Sequence, residues 1–387
     1  MIKKELIPLA IGGFGIGMTE FVMMGILPDV ASNLKVSIPE AGYLISAYAL
    51  GVVVGAPTLV GVLGRRSPKK ILIGLMVMFT IFNALSAFAP NYEVLLLSRF
   101  LAGLPHGAFF GVGAVVASRL ADKGKRASAV AIMFAGLTIA NIIGVPIGTY
   151  VGHNFSWRFT FLIVAAIGII AVIGLRIWIP PIEANRAGGL LRDLHIFRRA
   201  DLWLAVAITS IGTGGLFAWF SYIAPLLTDV SLFSPGAIPW IMTLAGVGMT
   251  VGNLAGGKLA DKVPPIKAII MLMLSMAILV MLNAFFAGSK PVILILTFLT
   301  GANAMALGAP IQMLLIQHSK GSEMLGASLG QAAFNIGNAI GAYFGGIPLT
   351  LGYSYSSPQW VAAGLAVTGA FLSSIMLMKT SRAPSAA

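Results

Sequence analysis

Two ionisable side chains of this 387-residue chain, Glu20 and Arg99, lie inside long apolar runs. A charge within a helix that crosses hydrocarbon costs roughly 2.5–3.5 kcal/mol on insertion scales, so such residues are kept where they do chemistry or partner one another. Glu20 is the only acid well inside any apolar run, flanked by Gly17, Met18, Thr19 and Phe21. Counted back from Pro28 at 1.5 Å per residue it lies about 12 Å deep, and Arg99, counted from Glu93, lies about 9 Å deep. A carboxyl group alone in oil favours its neutral form, and a guanidinium beside it favours the ionised form, so small movements between them load or release a proton. The pair predicts proton coupling if its two helices are neighbours. The alternative is a static pair that orients those helices.

Other polar residues within apolar runs are weaker signals. His106, about one turn past Gly103, suits a substrate contact, a proton relay or a hydrogen-bonded packing residue. Asn141, Gln312 and Asn335, with Gln331 and Asn338, suit substrate contacts and interhelical hydrogen bonds equally. Trp219, with Phe217 and Tyr222, could stack on a ring of a solute or pack and anchor a helix. The 18 methionines fill gaps between helices. The remaining histidines, His153, His195 and His318, show no ligand spacing, and there is no cysteine, so no metal site and no cofactor is expected. Nor is there a Gly-rich nucleotide loop followed by Lys and Ser or Thr, or a nucleophile with base and orienting acid; an enzyme is not expected.

The elements that must position these groups follow from composition. Hydrophobic residues make up 58% and charged residues 10%, far below the quarter usual in soluble domains, which excludes a water-soluble globule. Apolar runs long enough to cross a bilayer lie near 6–28, 40–63, 70–90, 94–118, 127–151 and 159–180, then near 202–227, 236–257, 267–287, 291–317, 324–350 and 360–378. A β-barrel is excluded because barrel strands alternate in polarity, whereas these runs are continuously apolar. The fold class is therefore an all-α polytopic membrane protein of twelve transmembrane helices. Residues 1–180 form one six-helix bundle, 181–201 a polar cytoplasmic linker and 202–387 a second bundle.

The net charge of +13 is not a nucleic-acid signal, because its residues are dispersed between apolar runs instead of clustered on a soluble face. With both termini inside, 21 of the 25 Lys and Arg fall in cytoplasmic segments, leaving only Lys35, Arg99, Arg158 and Lys290 elsewhere. This is the positive-inside asymmetry, and it sets the orientation.

The two halves share punctuation about 195 residues apart. Gly51 and Gly55, followed by Gly61, Leu63, Arg65, Arg66 and Pro68, correspond to Gly248 and Gly252, followed by Gly257, Leu259, Asp261, Lys262 and Pro264; Gly136 and Asn141 correspond to Gly330 and Asn335. Parallel repeats of this kind place a ligand site between two bundles that open it alternately to each side.

On these residues the chain resembles the major facilitator superfamily, in its twelve-span drug:proton antiporter branch and most closely the arabinose and sugar efflux transporters. The loop signature of that family appears as Gly257, Leu259, Ala260, Asp261 and Lys262, and in degenerate form as Gly64, Arg65 and Arg66. Arg99, Gly103 and Gly107 match the motif of the fourth span, whose Arg the family associates with proton transfer, and Gly136 to Thr149, with Gly144, Pro146 and Gly148, resembles the antiporter motif of the fifth. The resemblance implies that spans 1 and 4 are neighbours, that Asp261 latches a helix end in one state, and that the protein is a monomer of the bacterial inner membrane. It implies partners limited to protons, a small solute such as a sugar or drug-like compound, and the lipid bilayer. Uptake by symport or uniport on the same fold, and a non-transporting sensor or scaffold, are the competing expectations.

Overall fold

The structure is a computed structural model that describes residues 3–63, 66–122, 126–183, 199–318 and 323–382. Among them helices are the only regular elements. A segment in hydrocarbon has no water to receive its backbone N–H and C=O groups, and an apolar run closes those bonds within itself as a helix.

The first half holds α1 (Ile7–Gly25), the short α2 (Leu27–Leu34), α3 (Ile38–Leu63), α4 (Pro68–Ala87), α5 (Tyr92–Leu120), α6 (Arg126–Ile139), α7 (Val145–Asn154) and α8 (Trp157–Trp178). The second half holds α9 (Ala200–Ser221), α10 (Ile238–Lys262), α11 (Pro265–Phe286), α12 (Lys290–Ala306), α13 (Gly308–His318), α14 (Glu323–Thr350) and α15 (Pro358–Arg382). Among the described residues eleven helical segments are long and apolar enough to cross a bilayer. The twelfth span is α14, 28 residues long, whose sequence interleaves Gly, Asn, Gln and Ser with its apolar positions. Side-chain caps start two of the helices: Asn91 accepts from the Val94 N–H at 3.0 Å before α5, and Ser156 accepts from the Arg158 N–H before α8.

Four of the expected continuous runs are interrupted, that near 202–227 at Tyr222, where α9 ends before a short helical turn, Ile223–Pro225. The run near 6–28 ends at Gly25, and Pro28 stands in the first turn of α2. The run near 291–317 is divided at Leu307 into α12 and α13. The run near 127–151 contains a wide π turn, Ala140–Gly144, in which the Val145 N–H bonds the Ala140 carbonyl five residues back. Pro146 follows at once; it has no N–H to donate, and its ring crowds the carbonyl four residues before it, so the helix takes up one extra residue there.

The chain divides into two compact units, Met1–Gly188 with Ser234–Thr243 and Gly189–Phe233 with Leu244–Ala387. The linker residues 184–198 lie outside the described residues. In the first unit the apolar core gathers Leu72, Phe79, Phe109, Phe110 and Met133; in the second it gathers Ile208, Ile269, Met273 and Leu315. Both units repeat one close helix crossing. A Cβ at Gly51 or Gly55 of α3 would collide with the carbonyls of Phe100 and Leu104 on α5, and a Cβ at Gly248 or Gly252 of α10 would collide with those of Phe298 and Ala302 on α12. Without a Cβ the two backbones of each pair touch, which in lipid supplies the packing that a hydrophobic drive cannot.

Candidate functional site

Helices α1, α3, α4 and α5 of the first unit bring together one polar network. Arg99 of α5 is fully buried and points at α1, where its Nη1 donates to Thr19 Oγ1 at 2.8 Å and its Nη2 donates to the Thr19 carbonyl at 2.9 Å. Thr19 Oγ1 in turn donates to Asn83 Oδ1 of α4 at 2.6 Å, and Asn83 Nδ2 donates to the Phe79 carbonyl at 2.8 Å. The guanidinium carbon lies 4.4 Å from the Tyr48 ring centroid and 5.2 Å from that of Phe161, so two aromatic faces hold the cation. Spans 1 and 4 are therefore neighbours at the level the residue counts require.

Glu20 is the residue next to Thr19 on α1 and is 3% exposed. Its Oε1 has no hydrogen-bond partner, and no ion pair joins it to Arg99; the Nε of Arg99 is likewise without a partner. A buried ionised carboxylate with an unfilled oxygen is costly, whereas a carboxylic acid there is tolerated. The structure thus holds the guanidinium on the residue beside the acid and leaves the acid itself free to take another partner.

His106 is buried on α5, two turns further in than Arg99. Its Nδ1 lies 3.2 Å from the Tyr48 hydroxyl, and its ring packs 5.4 Å from that of Phe110. Tyr48, Thr19 and Asn83 are the members of this network that the sequence did not single out. Each is a polar group within a long apolar run, and that is the signal that marked His106. Asn141 is buried inside the π turn, and Gly144 and Gly148 pack against Phe14 and Val22 of α1.

At one end of the same unit, His153 Nδ1 and Asp29 Oδ1 pair at 3.0 Å. Partial burial raises the Asp29 carboxyl above its ordinary range, opposed by the hydrogen bond from His153. Beside it Asn33 Oδ1 accepts from Trp157 Nε1 and Arg158 Nη1, each at 3.0 Å, and Arg158 Nη2 donates to the Ala89 carbonyl at 2.8 Å. These bonds tie α2 to the start of α8.

In the second unit Trp219 is fully buried, with its Nε1 unpartnered and its ring 5.4 Å from that of Phe220. Asn335 is buried, donates from Nδ2 to the Gln331 carbonyl at 3.0 Å and leaves Oδ1 without a partner. Gln312, half-buried on α13, faces Gly330 of α14. Of the residues expected to form a conformational motif, Arg66 and Lys262 are exposed at helix ends, while Arg65 and the side chain of Asp261 lie outside the described residues.

Comparison with known proteins agrees with this architecture. A family model described as Major Facilitator Superfamily matches residues 9–331 and, in a second match, 202–387. AraJ of Escherichia coli (strain K12), named as a transporter, is 43% identical over 97% of this chain and 95% of its own. A chloramphenicol resistance protein of Streptomyces lividans is 32% identical over 94% of this chain and 93% of its own. Among solved structures, a D-xylose-proton symporter superposes with a TM-score of 0.77 at 17% identity, covering 96% of each chain.

Proposed function

The chain belongs to the Major Facilitator Superfamily and is a multi-pass membrane transporter, and on that premise we propose that it exports a small solute such as a sugar or drug-like compound in exchange for protons by alternating access. The observation that carries the proposal is Glu20: buried, with one carboxyl oxygen unpartnered, beside an Arg99 that is held by Thr19 instead. In the exchange cycle Glu20 holds a proton in one state and in the other releases it to water and pairs instead with Arg99 or with substrate, so that the guanidinium exchanges Thr19 for the carboxylate. His106, Asn141, Trp219, Gln312 and Asn335 are the proposed solute contacts, since each is a polar or aromatic group within an otherwise apolar span. Arg65, Arg66, Asp261 and Lys262 at the cytoplasmic helix ends, with Gly144, Pro146 and Gly148 on the fifth span, are the proposed conformational elements.

Outward movement is favoured by the fifth-span motif and by likeness to a relative named for chloramphenicol resistance. The distribution of Lys and Arg supports cytoplasmic termini in a bacterial inner membrane. The test is the direction of proton movement in proteoliposomes carrying an imposed pH gradient. Under antiport, adding substrate on one side drives protons toward that side. Protons moving along with the substrate would mean symport and uptake, and no proton movement with substrate flux intact would mean uniport.

A further inference from the structure

Beyond Glu20 and Arg99, the first unit contains a second built arrangement, the contact between Tyr48 and His106. Tyr48 is buried, with one face of its ring against the Arg99 guanidinium at 4.4 Å and its hydroxyl 3.2 Å from His106 Nδ1. A Cβ at Gly103 would strike the Tyr48 carbonyl, so the close crossing of α3 and α5 is what brings the phenol within reach of both α5 side chains. A cation on the face of a phenol draws electron density from it and makes the O–H the better donor. With the hydroxyl as donor to Nδ1, the imidazole proton is left on Nε2.

We propose that Tyr48 is a positioning residue that fixes the Nε2–H tautomer of His106, making His106 a neutral donor for an uncharged solute that carries hydroxyl or carbonyl oxygens. The inference rests on the transport reading given above and names the solute class for it. The rest of the network supports a neutral solute. Arg99 is engaged by both Thr19 oxygens and boxed by the rings of Tyr48 and Phe161, so its Nη1 and Nη2 are already occupied within the unit. Both ends of the Asn83 amide are bonded within the protein. What remains for a solute is one N–H on His106, the Nε–H of Arg99 and the unpartnered Oε1 of Glu20, donors and a carboxyl group that suit hydroxyl and carbonyl oxygens.

Nitrogen-15 NMR on histidine-labelled full-length protein in lipid nanodiscs tests this, with His106→Gln identifying the resonance. In the native protein the His106 ring is expected neutral with its proton on Nε2. Tyr48→Phe keeps the ring against Arg99 and removes only the hydroxyl, and it is expected to give a mixture of tautomers. A proton on Nδ1 in the native protein, or an unchanged signal in Tyr48→Phe, overturns the proposal. In proteoliposomes Tyr48→Phe is expected to raise KM for a neutral hydroxylated substrate about tenfold, as loss of one oriented hydrogen bond does, with kcat and protons carried per substrate unchanged. A fall in kcat at constant KM also overturns it. If Glu20→Gln stays proton-coupled while Tyr48→Phe shifts the tautomer, the coupling role of Glu20 fails and the role of Tyr48 stands.

Discussion

The hydroxyl of Thr19 accepts from Arg99 and donates to Asn83, so one oxygen ties α1 to both α4 and α5. Thr19→Val keeps the shape and removes that oxygen, leaving the guanidinium with a single carbonyl partner and the Asn83 oxygen with none. A buried polar group stripped of its partner costs about 1–3 kcal/mol, more where the partner is charged. The variant is therefore expected to melt at a clearly lower temperature in detergent than the native protein, and a melting temperature within error of native would show that the network does not hold these helices. Because Arg99 would also be free to turn to Glu20, the same variant is expected to bind substrate with altered pH dependence. The sequence drew attention to Glu20 and Arg99 through their charge in oil. It did not distinguish an ion pair from the arrangement found, since residue counting fixes depth along a helix and carries no information on which atom of the next helix a side chain meets. Thr19, adjacent to the acid, passed as an ordinary helical residue because a lone hydroxyl can bond its own helix.

At the level of elements the close crossings are the most exposed to substitution. Gly55 of α3 lies on the backbone of Leu104, whereas Gly74 of α4 has nothing within 4 Å of its would-be Cβ. Gly55→Val is expected to force α3 from α5 at a cost of about 1–3 kcal/mol, as overpacking does, and Gly74→Ala to leave stability unchanged or raise it by up to about 1 kcal/mol. Paired melts in one detergent check both, and equal melting temperatures would contradict the packing described. The spans themselves were legible because hydropathy over twenty residues is decided by composition alone. Breaks within them were less so. Pro146 announces a missing hydrogen bond, yet whether the helix kinks, ends or widens into a π turn depends on what packs beside it, here Phe14 and Met18 against Gly144. Gly51 and Gly55 were legible as a repeat of Gly248 and Gly252, and the structure supplies the reason, the same backbone contact in each unit.

For the molecule as a whole, the charge excess of +13 and the twelve apolar runs describe how the chain lies in a membrane, and the transported solute is described by neither. Transport needs two states with different affinity for the same proton, and a linked equilibrium shifts only as far as that difference allows. We place that difference on Glu20, because it is acidic, buried and has an unpartnered oxygen while its basic neighbour is engaged elsewhere. The decisive measurement is the proton released when saturating substrate is added to purified protein in weakly buffered detergent solution, compared between native protein and Glu20→Gln. The native protein is expected to release about one proton per chain bound, as a single exchanging carboxyl requires, and Glu20→Gln to bind substrate and release none. Equal release from both would show that the proton resides on another group and that Glu20 is not the coupling residue.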